Sequence, residues 1–415
     1  MKHLFVALSL MTLASLQAAP VLKTADRVAV IGDSITEQKL YSKFIELYLT
    51  VCVPQLDIRC FQFGWGGESA SGFLRRMDND LAVFKPTVAT TCYGMNDGGY
   101  RRYEESIGKN YENNMAAILA KLKTQGVTVI VGGPGAVDTD YFRRNELKPD
   151  VYNDNLAQLN AIARKLAEQN RFPHADVHGA MIAAMSKAKA TLGNDYDVCG
   201  RDGFHPGPNG HLIMAYAFLK AMGLDGHIGT ITVDLTGPTT ATDGHTILSA
   251  AHGKIECESV RYPFCFSGDD KSSGGTRSIV PFLLFNQDLN RFTLIVKNLN
   301  TPRATVTWGK TSKSFTRDQL AAGINLAAEF LDNPFANAFA AVERAVSAKE
   351  DFETFMIKDL ITKFPALRAR LGGNAETDAA LETLRRALAT RHAALSEAVL
   401  AARQPVRHTL QIQPE

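Results

Sequence analysis

A serine hydroxyl is a weak nucleophile until a neighbouring imidazole accepts its proton, and the imidazole does so best when an acid fixes its tautomer. The chain carries the pieces of such a relay in two places. Gly32-Asp33-Ser34-Ile35 follows directly on the apolar run Val28-Ala29-Val30-Ile31, the pattern of a buried strand ending in a serine-bearing turn. Far downstream stands Asp202-Gly203-Phe204-His205. A turn over that spacing can bring the Asp202 carboxylate to one nitrogen of His205 and leave the other to face Ser34. Each piece also has a plainer use: Ser34 as a helix N-cap, Asp202 and His205 as a loop acid and a surface histidine. His211 is an alternative base, but it falls where a helix begins, so His205 is preferred.

Acyl transfer also needs donors where the carbonyl oxygen gains charge. Gly67 can offer a backbone N–H, since a residue without a side chain permits close approach. Asn96 can offer its amide, and Ser34 its own backbone N–H. Turn roles compete for both Gly67 and Asn96. Trp65, Tyr100 and Arg101, with Tyr93, Arg102 and Tyr103, cluster on the same loops. They could bind a sugar ring or an acidic group, or simply pack and solvate. His174, Asp176 and His178 could suggest a metal, but structural roles come first at a short strand and helix start. The chemistry calls for no metal and no organic cofactor.

These residues need a frame. Apolar strand runs at 27–31, 58–63, 87–93, 127–131 and 175–177 alternate with helical periodicity at 38–51, 107–123, 153–169 and 210–222. That alternation predicts a parallel sheet covered by helices on both faces, with ligands bound beyond the carboxyl ends of its strands. Past residue 229 the pattern changes to short β-type runs at 230–235, 254–260, 279–285, 292–296 and 304–308, read as a small antiparallel β-sandwich. From 317 onward it turns helical. Two long amphipathic helices, 336–371 and 377–403, join at Gly372-Gly373-Asn374 as a helical hairpin, the first broken near Pro365. The expected division is therefore 1–19 as a signal peptide, 20–228 as an α/β domain, 229–316 as a sandwich and 317–415 as a helical region. The hairpin could brace the domains or dimerise; its apolar stripe is more often core than interface.

The ordered set Gly-Asp-Ser, Gly67 before Glu68, Gly94-Met95-Asn96-Asp97 and Asp-x-x-His resembles the SGNH hydrolase superfamily, also called GDSL esterases. The resemblance covers roughly residues 25–225. It implies a three-layer α/β/α fold, Ser34 as nucleophile, Gly67 and Asn96 in the oxyanion hole, and Asp202 and His205 completing the triad. One block departs: Phe63-Gly64-Trp65-Gly66-Gly67-Glu68 carries extra glycines and a tryptophan, so Gly67 is assigned by its place before Glu68.

The totals exclude several classes. At 415 residues the chain exceeds one ordinary core. Charged residues make up 21% and the net charge is +2, with no basic stripe to suggest a nucleic-acid partner. Lys2 and His3, the apolar stretch 4–13 and Leu16-Gln17-Ala18-Ala19 form a signal-peptide pattern, and no later segment is long enough to span a bilayer. An exported, periplasmic or extracellular protein is expected, without a lipid anchor. Of six cysteines, Cys52 with Cys60 and Cys257 with Cys265 are close enough to pair, against the alternative of free buried thiols.

The preferred function is a secreted serine esterase acting on an acetylated glycan. The rivals are a lipid or aryl esterase or acyltransferase of the same fold, and a non-catalytic glycan-binding protein. The sequence leaves the oligomeric state open.

Overall fold

A computed structural model describes residues 21–415; the signal-peptide expectation for 1–19 lies outside them. The first part is built on a parallel sheet of β1 (Arg27–Gly32), β2 (Arg59–Gly64), β3 (Val88–Cys92), β4 (Thr128–Gly132) and β5 (His174–Ala175), in the order β2-β1-β3-β4-β5. Its strands are almost wholly buried, as expected where helices cover both faces. Helices follow each strand: α1 (Ser34–Glu37), α2 (Tyr41–Leu47), α3 (Ala70–Leu81), α4 (Glu105–Thr124), α5 (Pro149–Asn170), α6 (Val177–Leu192) and α7 (Pro208–Ala221). The strand order reverses between β1 and β3. Connections leave that point in opposite directions, which opens a crevice above the carboxyl ends of these two strands. Ser34 follows β1 and Asn96 follows β3, so topology alone brings them to one place.

Two further sheets face each other. One has β6 (His227–Asp234), β7 (Thr240–Ala241), β10 (Arg291–Lys297) and β13 (Ile324–Asn325) in the order β13-β10-β6-β7. The other has β8 (His245–Ala251), β9 (Lys254–Ser259), β11 (Arg303–Trp308), β12 (Thr311–Thr316) and β14 (Val406–Pro414) in the order β12-β11-β14-β9-β8. Their shared core holds Phe292, Trp308, Phe335 and His408. Three features differ from the sequence expectation. β6 and β10 run parallel. Residues 277–282 form a 3-10 turn around Pro281 instead of a strand, because proline cannot donate to a ladder. The last strand, β14, leaves the helical region and fills the middle of the second sheet.

Short helices α8 (Phe285–Asp288), α9 (Arg317–Ala322) and α10 (Leu326–Glu329) connect these strands, and α11 (Ala336–Thr354), α12 (Phe364–Arg370) and α13 (Ala375–Ala402) form the helical arm. The break in the first long helix comes at Leu360, between a π-helical segment at 355–360 and a 3-10 turn at 361–363. Pro365 sits one step later, in the first turn of α12, where its missing N–H costs nothing. α11 packs on both α13 and β2, so the arm lies against the α/β domain.

All six cysteines are free and buried, and the Cys52–Cys60 and Cys257–Cys265 pairings do not form. Burial raises each thiol, so none is poised as a nucleophile. No helix among the described residues is long and apolar enough to cross a membrane.

Candidate active site

β1 ends at Gly32 because nothing larger fits: a Cβ there would lie 2.9 Å from the carbonyl oxygen of Cys92 on the neighbouring strand. Asp33 then caps α1, its Oδ1 accepting from the Ile35 N–H at 2.9 Å. Ser34 is the first residue of that helix. Its Oγ lies 2.9 Å from His205 Nε2, and His205 Nδ1 lies 2.6 Å from Asp202 Oδ2. The other Asp202 oxygen accepts from the backbone N–H groups of Phe204 and His205, at 3.1 and 3.0 Å. Burial pushes the Asp202 carboxyl up, but these N–H groups and the His205 ring outweigh it and hold the acid below its usual range. The loop depends on glycines. Gly200 and Gly203 have φ of 77° and 85°, and a Cβ on Gly203 would meet the backbone of Phe142 at 2.4 Å.

His211 is not an available base. It is fully buried; Nδ1 accepts from the Tyr41 N–H at 3.1 Å, and Nε2 faces Gln38 Oε1 at 3.1 Å. Burial above all, then the nearby charges of His205 and Lys43, lowers its pKa to about 3.

The candidate oxyanion donors sit on the turns that follow β2 and β3. Gly67 occupies a turn closed by the Glu68 N–H on the Trp65 carbonyl at 3.2 Å, and its φ of 72° suits glycine. Glu68 anchors that turn. Both of its oxygens take Arg76 N–H groups at 2.7 Å, and Tyr93 Oη–H donates to one at 2.8 Å. Arg76 also bonds Asp80 at 2.9 Å and the Phe63 carbonyl at 3.0 Å. Asn96 Nδ2 donates to the Glu68 carbonyl at 3.0 Å and comes within 3.5 Å of Asp33 Oδ2. Burial raises Asp33 to about 7, with the charges of Asp97 and Glu68 adding to it against the Ile35 N–H. Burial likewise brings Asp97 to about 6, against the N–H groups of Ala70 and Gly94.

The expected substrate-binding residues fare differently. Trp65 is half-buried, with Arg76 and Lys358 at 4.8 and 5.4 Å from its ring centre. Arg101 is exposed on its loop. Tyr100 is no open platform. It is 8% exposed, stacks on Tyr152 at 5.1 Å and is covered by the Arg144 guanidinium at 3.7 Å. Its hydroxyl donates to Asn96 Oδ1 at 3.2 Å. Tyr93 is buried against Glu68. Sequence reasoning missed Arg144 and Phe204. The Phe204 ring stands edge-on to Tyr100 and 4.5 Å from the His205 ring. Its position next to the base was the one signal available.

Among the described residues, no group of three or more His, Cys, Asp or Glu side chains is placed to hold a metal ion. Asp176 caps α6 through the Gly179 N–H at 3.0 Å, and His178 Nδ1 bonds the Gly135 carbonyl at 3.0 Å. A second serine–histidine contact is sealed in the sandwich core. Trp308 Nε1–H donates to His408 Nδ1, so His408 Nε2–H donates to Ser259 Oγ at 2.9 Å, and Ser259 donates to His245 Nδ1 at 2.8 Å. All four residues are buried, and the chain of bonds satisfies polar groups inside a core.

Residues 30–213 match the GDSL-like lipase/acylhydrolase family. Over those residues the α/β domain belongs to the SGNH hydrolase superfamily. An acetylxylan esterase of Geobacillus stearothermophilus is 24% identical to this chain over 225 residues, which cover 49% of this chain and 96% of that protein. A crystal structure of that organism's acetylxylan esterase aligns with 49% of this chain at 21% identity and a TM-score of 0.41. The structure of a gut microbial diltiazem-metabolizing enzyme aligns with 96% of this chain and 100% of its own, at 20% identity and a TM-score of 0.73. The succession of SGNH domain, paired sheets and helical arm therefore recurs as a fold.

Proposed function

We propose that the SGNH domain is a serine ester hydrolase and that its substrates are acetyl esters of carbohydrates. The observation that carries the reading is the unbroken relay from Ser34 Oγ to His205 Nε2 and from His205 Nδ1 to Asp202 Oδ2, at 2.9 and 2.6 Å. His205 takes the proton as Ser34 attacks the ester carbonyl, and the ionised Asp202 stabilises the imidazolium that forms. The oxyanion faces the N–H groups of Ser34 and Gly67 and the amide of Asn96. When the tetrahedral adduct collapses, His205 returns the proton to the departing alcohol. Water, deprotonated by the same imidazole, then releases the acid from Ser34.

The carbohydrate reading is supported by the match to nearly the whole length of an acetylxylan esterase. Export, suggested by residues 1–19, would give the site access to glycans outside the cytoplasm. A second reading, an esterase for aryl-bearing small molecules, is favoured by the partly exposed Phe204 ring beside His205.

Product analysis tests both. Purified protein is given acetylated xylo-oligosaccharides, an aryl acetate and an aryl ester of a long-chain acid, and the released acid is quantified. Acetate release with the highest kcat/KM on the oligosaccharides is expected. A preference for the aryl acetate favours the second reading, and a preference for the long acyl chain contradicts both.

A further inference from the structure

A pocket of about 530 Å³ opens beside Gly67. One wall is the loop and helix of the SGNH domain, including Trp65, Arg75 and Asn79; the other is the helical arm, through Thr362 and Ala366. Ser34 and His205 do not line it. Gly67 is where it meets the candidate oxyanion site.

The two walls are fastened together. Thr362 Oγ1–H donates to Asp80 Oδ2 at 2.7 Å, and Asn79 Nδ2 donates to the Ile361 carbonyl at 2.8 Å. Lys358 pairs with Glu37, one turn past Ser34, at 2.5 Å. Asp80 in turn bonds Arg76, and Arg76 bonds Glu68 beside Gly67. A continuous line of hydrogen bonds thus runs from the arm to the turn that presents the Gly67 amide. This is a built cavity, not a chance gap between loosely apposed parts.

Size and chemistry limit its occupant. An acetyl group has only three heavy atoms, whereas pockets of a few hundred Å³ hold whole small molecules. The cavity therefore suits the alcohol half of the ester. Its lining mixes the Trp65 ring with hydroxyl, amide and guanidinium groups. Arg75 is exposed, and its one hydrogen bond among the described residues is a 3.4 Å contact with the Ser71 hydroxyl. Its remaining N–H groups are free to donate. The Trp65 ring beside the free Arg75 donors suits a polyhydroxylated ring.

We propose that this pocket is the subsite for the leaving alcohol, that it selects polyhydroxylated alcohols, and that the helical arm supplies its outer wall. The proposal rests on the acetylesterase reading above.

Ala366 is exposed, so Ala366→Trp can project an indole into the cavity without disturbing a core. Arg75→Ala removes the free donor. Each variant is compared with the unaltered protein on ethyl acetate, 2-naphthyl acetate and an acetylated xylotriose, with the melting temperature checked in parallel. Ala366→Trp should lower the ratio of kcat/KM for the trisaccharide to that for ethyl acetate about tenfold or more, chiefly through KM, and Arg75→Ala about three- to tenfold. An unchanged ratio in both variants overturns the pocket assignment. So does a ratio that shifts for naphthyl acetate but not for the trisaccharide, since the pocket would then favour an apolar alcohol. If the unaltered protein cleaves ethyl and naphthyl acetate but no sugar acetate, the carbohydrate reading and the polyol preference both fall. The arm's role as outer wall then stands only if Ala366→Trp still separates naphthyl from ethyl acetate.

Discussion

Asn96 can steady an oxyanion only if its amide nitrogen, not its oxygen, faces the reacting carbonyl, and Tyr100 decides which it is. The phenol donates to Asn96 Oδ1 while the Glu68 carbonyl accepts from Nδ2, so a flipped amide would lose both bonds. Tyr100→Phe keeps the stacked ring and removes only the hydroxyl. It should lower kcat about tenfold and leave KM within about twofold; a rise in KM with kcat unchanged would instead make Tyr100 a substrate contact. Asp33 gives a pH signature. An acid whose pKa is raised in the fold holds its proton more tightly there than in the unfolded chain. Its share of stability is complete below about pH 4 and is lost as the pH climbs toward 7. Asp33→Asn keeps the helix cap, so the variant should gain on the parent between pH 4 and 8 in urea unfolding; a pH-independent difference would count against this. The serine, acid and histidine were legible in the sequence because each lies in a short local motif. The role of Tyr100 was not, because it depends on a bond to a side chain whose orientation only the fold sets.

At the scale of elements, the helical arm is joined to the SGNH domain by buried charge. Lys349 on α11 contacts Glu46 at 3.0 Å, the Cys60 carbonyl at 2.9 Å and Glu353, and Glu353 also receives the Gln62 N–H and His392. Burial pushes Glu46 to about 7 despite Lys349, and burial first, then the charges of Glu46 and Glu353, holds Glu350 well above the usual carboxylate range. Removing one member of such a set strands the others. Lys349→Met should therefore cost about 3–5 kcal/mol in denaturant unfolding at pH 7, whereas an exposed lysine such as Lys187 should cost almost nothing when replaced. Periodicity revealed the long helices of the arm. It could not reveal this network, since Lys349, Glu350 and Glu353 read as an ordinary solvated face until α13 and β2 close over them.

At the scale of the molecule, β14 ties the end of the described chain back into its middle. It pairs with β9 on one side and β11 on the other, and His408, Leu410 and Ile412 point into the core. Their period of two was present in the sequence, but a strand after a long helix gives no sign of which sheet it joins. Deleting residues 405–415 would leave β9 and β11 with facing unpaired edges. The shortened protein should be insoluble or cleaved rapidly by protease; a soluble product with the parent melting temperature would contradict this topology. The parallel sheet with helices on both faces was legible from alternating strands and helices, but its strand order β2-β1-β3-β4-β5 was not; the switch point in that order explains why residues 34 and 96 share a crevice.

The central claim is that the Ser34 hydroxyl becomes the covalent carrier of the acyl group, activated by His205. Treatment with a phosphonylating reagent specific for activated serines, followed by intact-mass measurement and peptide mapping, tests it most directly. One adduct per chain on the peptide containing Ser34, with turnover lost in proportion and labelling slowed strongly in His205→Ala, is the predicted result. Full esterase turnover in Ser34→Ala, or loss of activity with the adduct on another residue, would contradict the account.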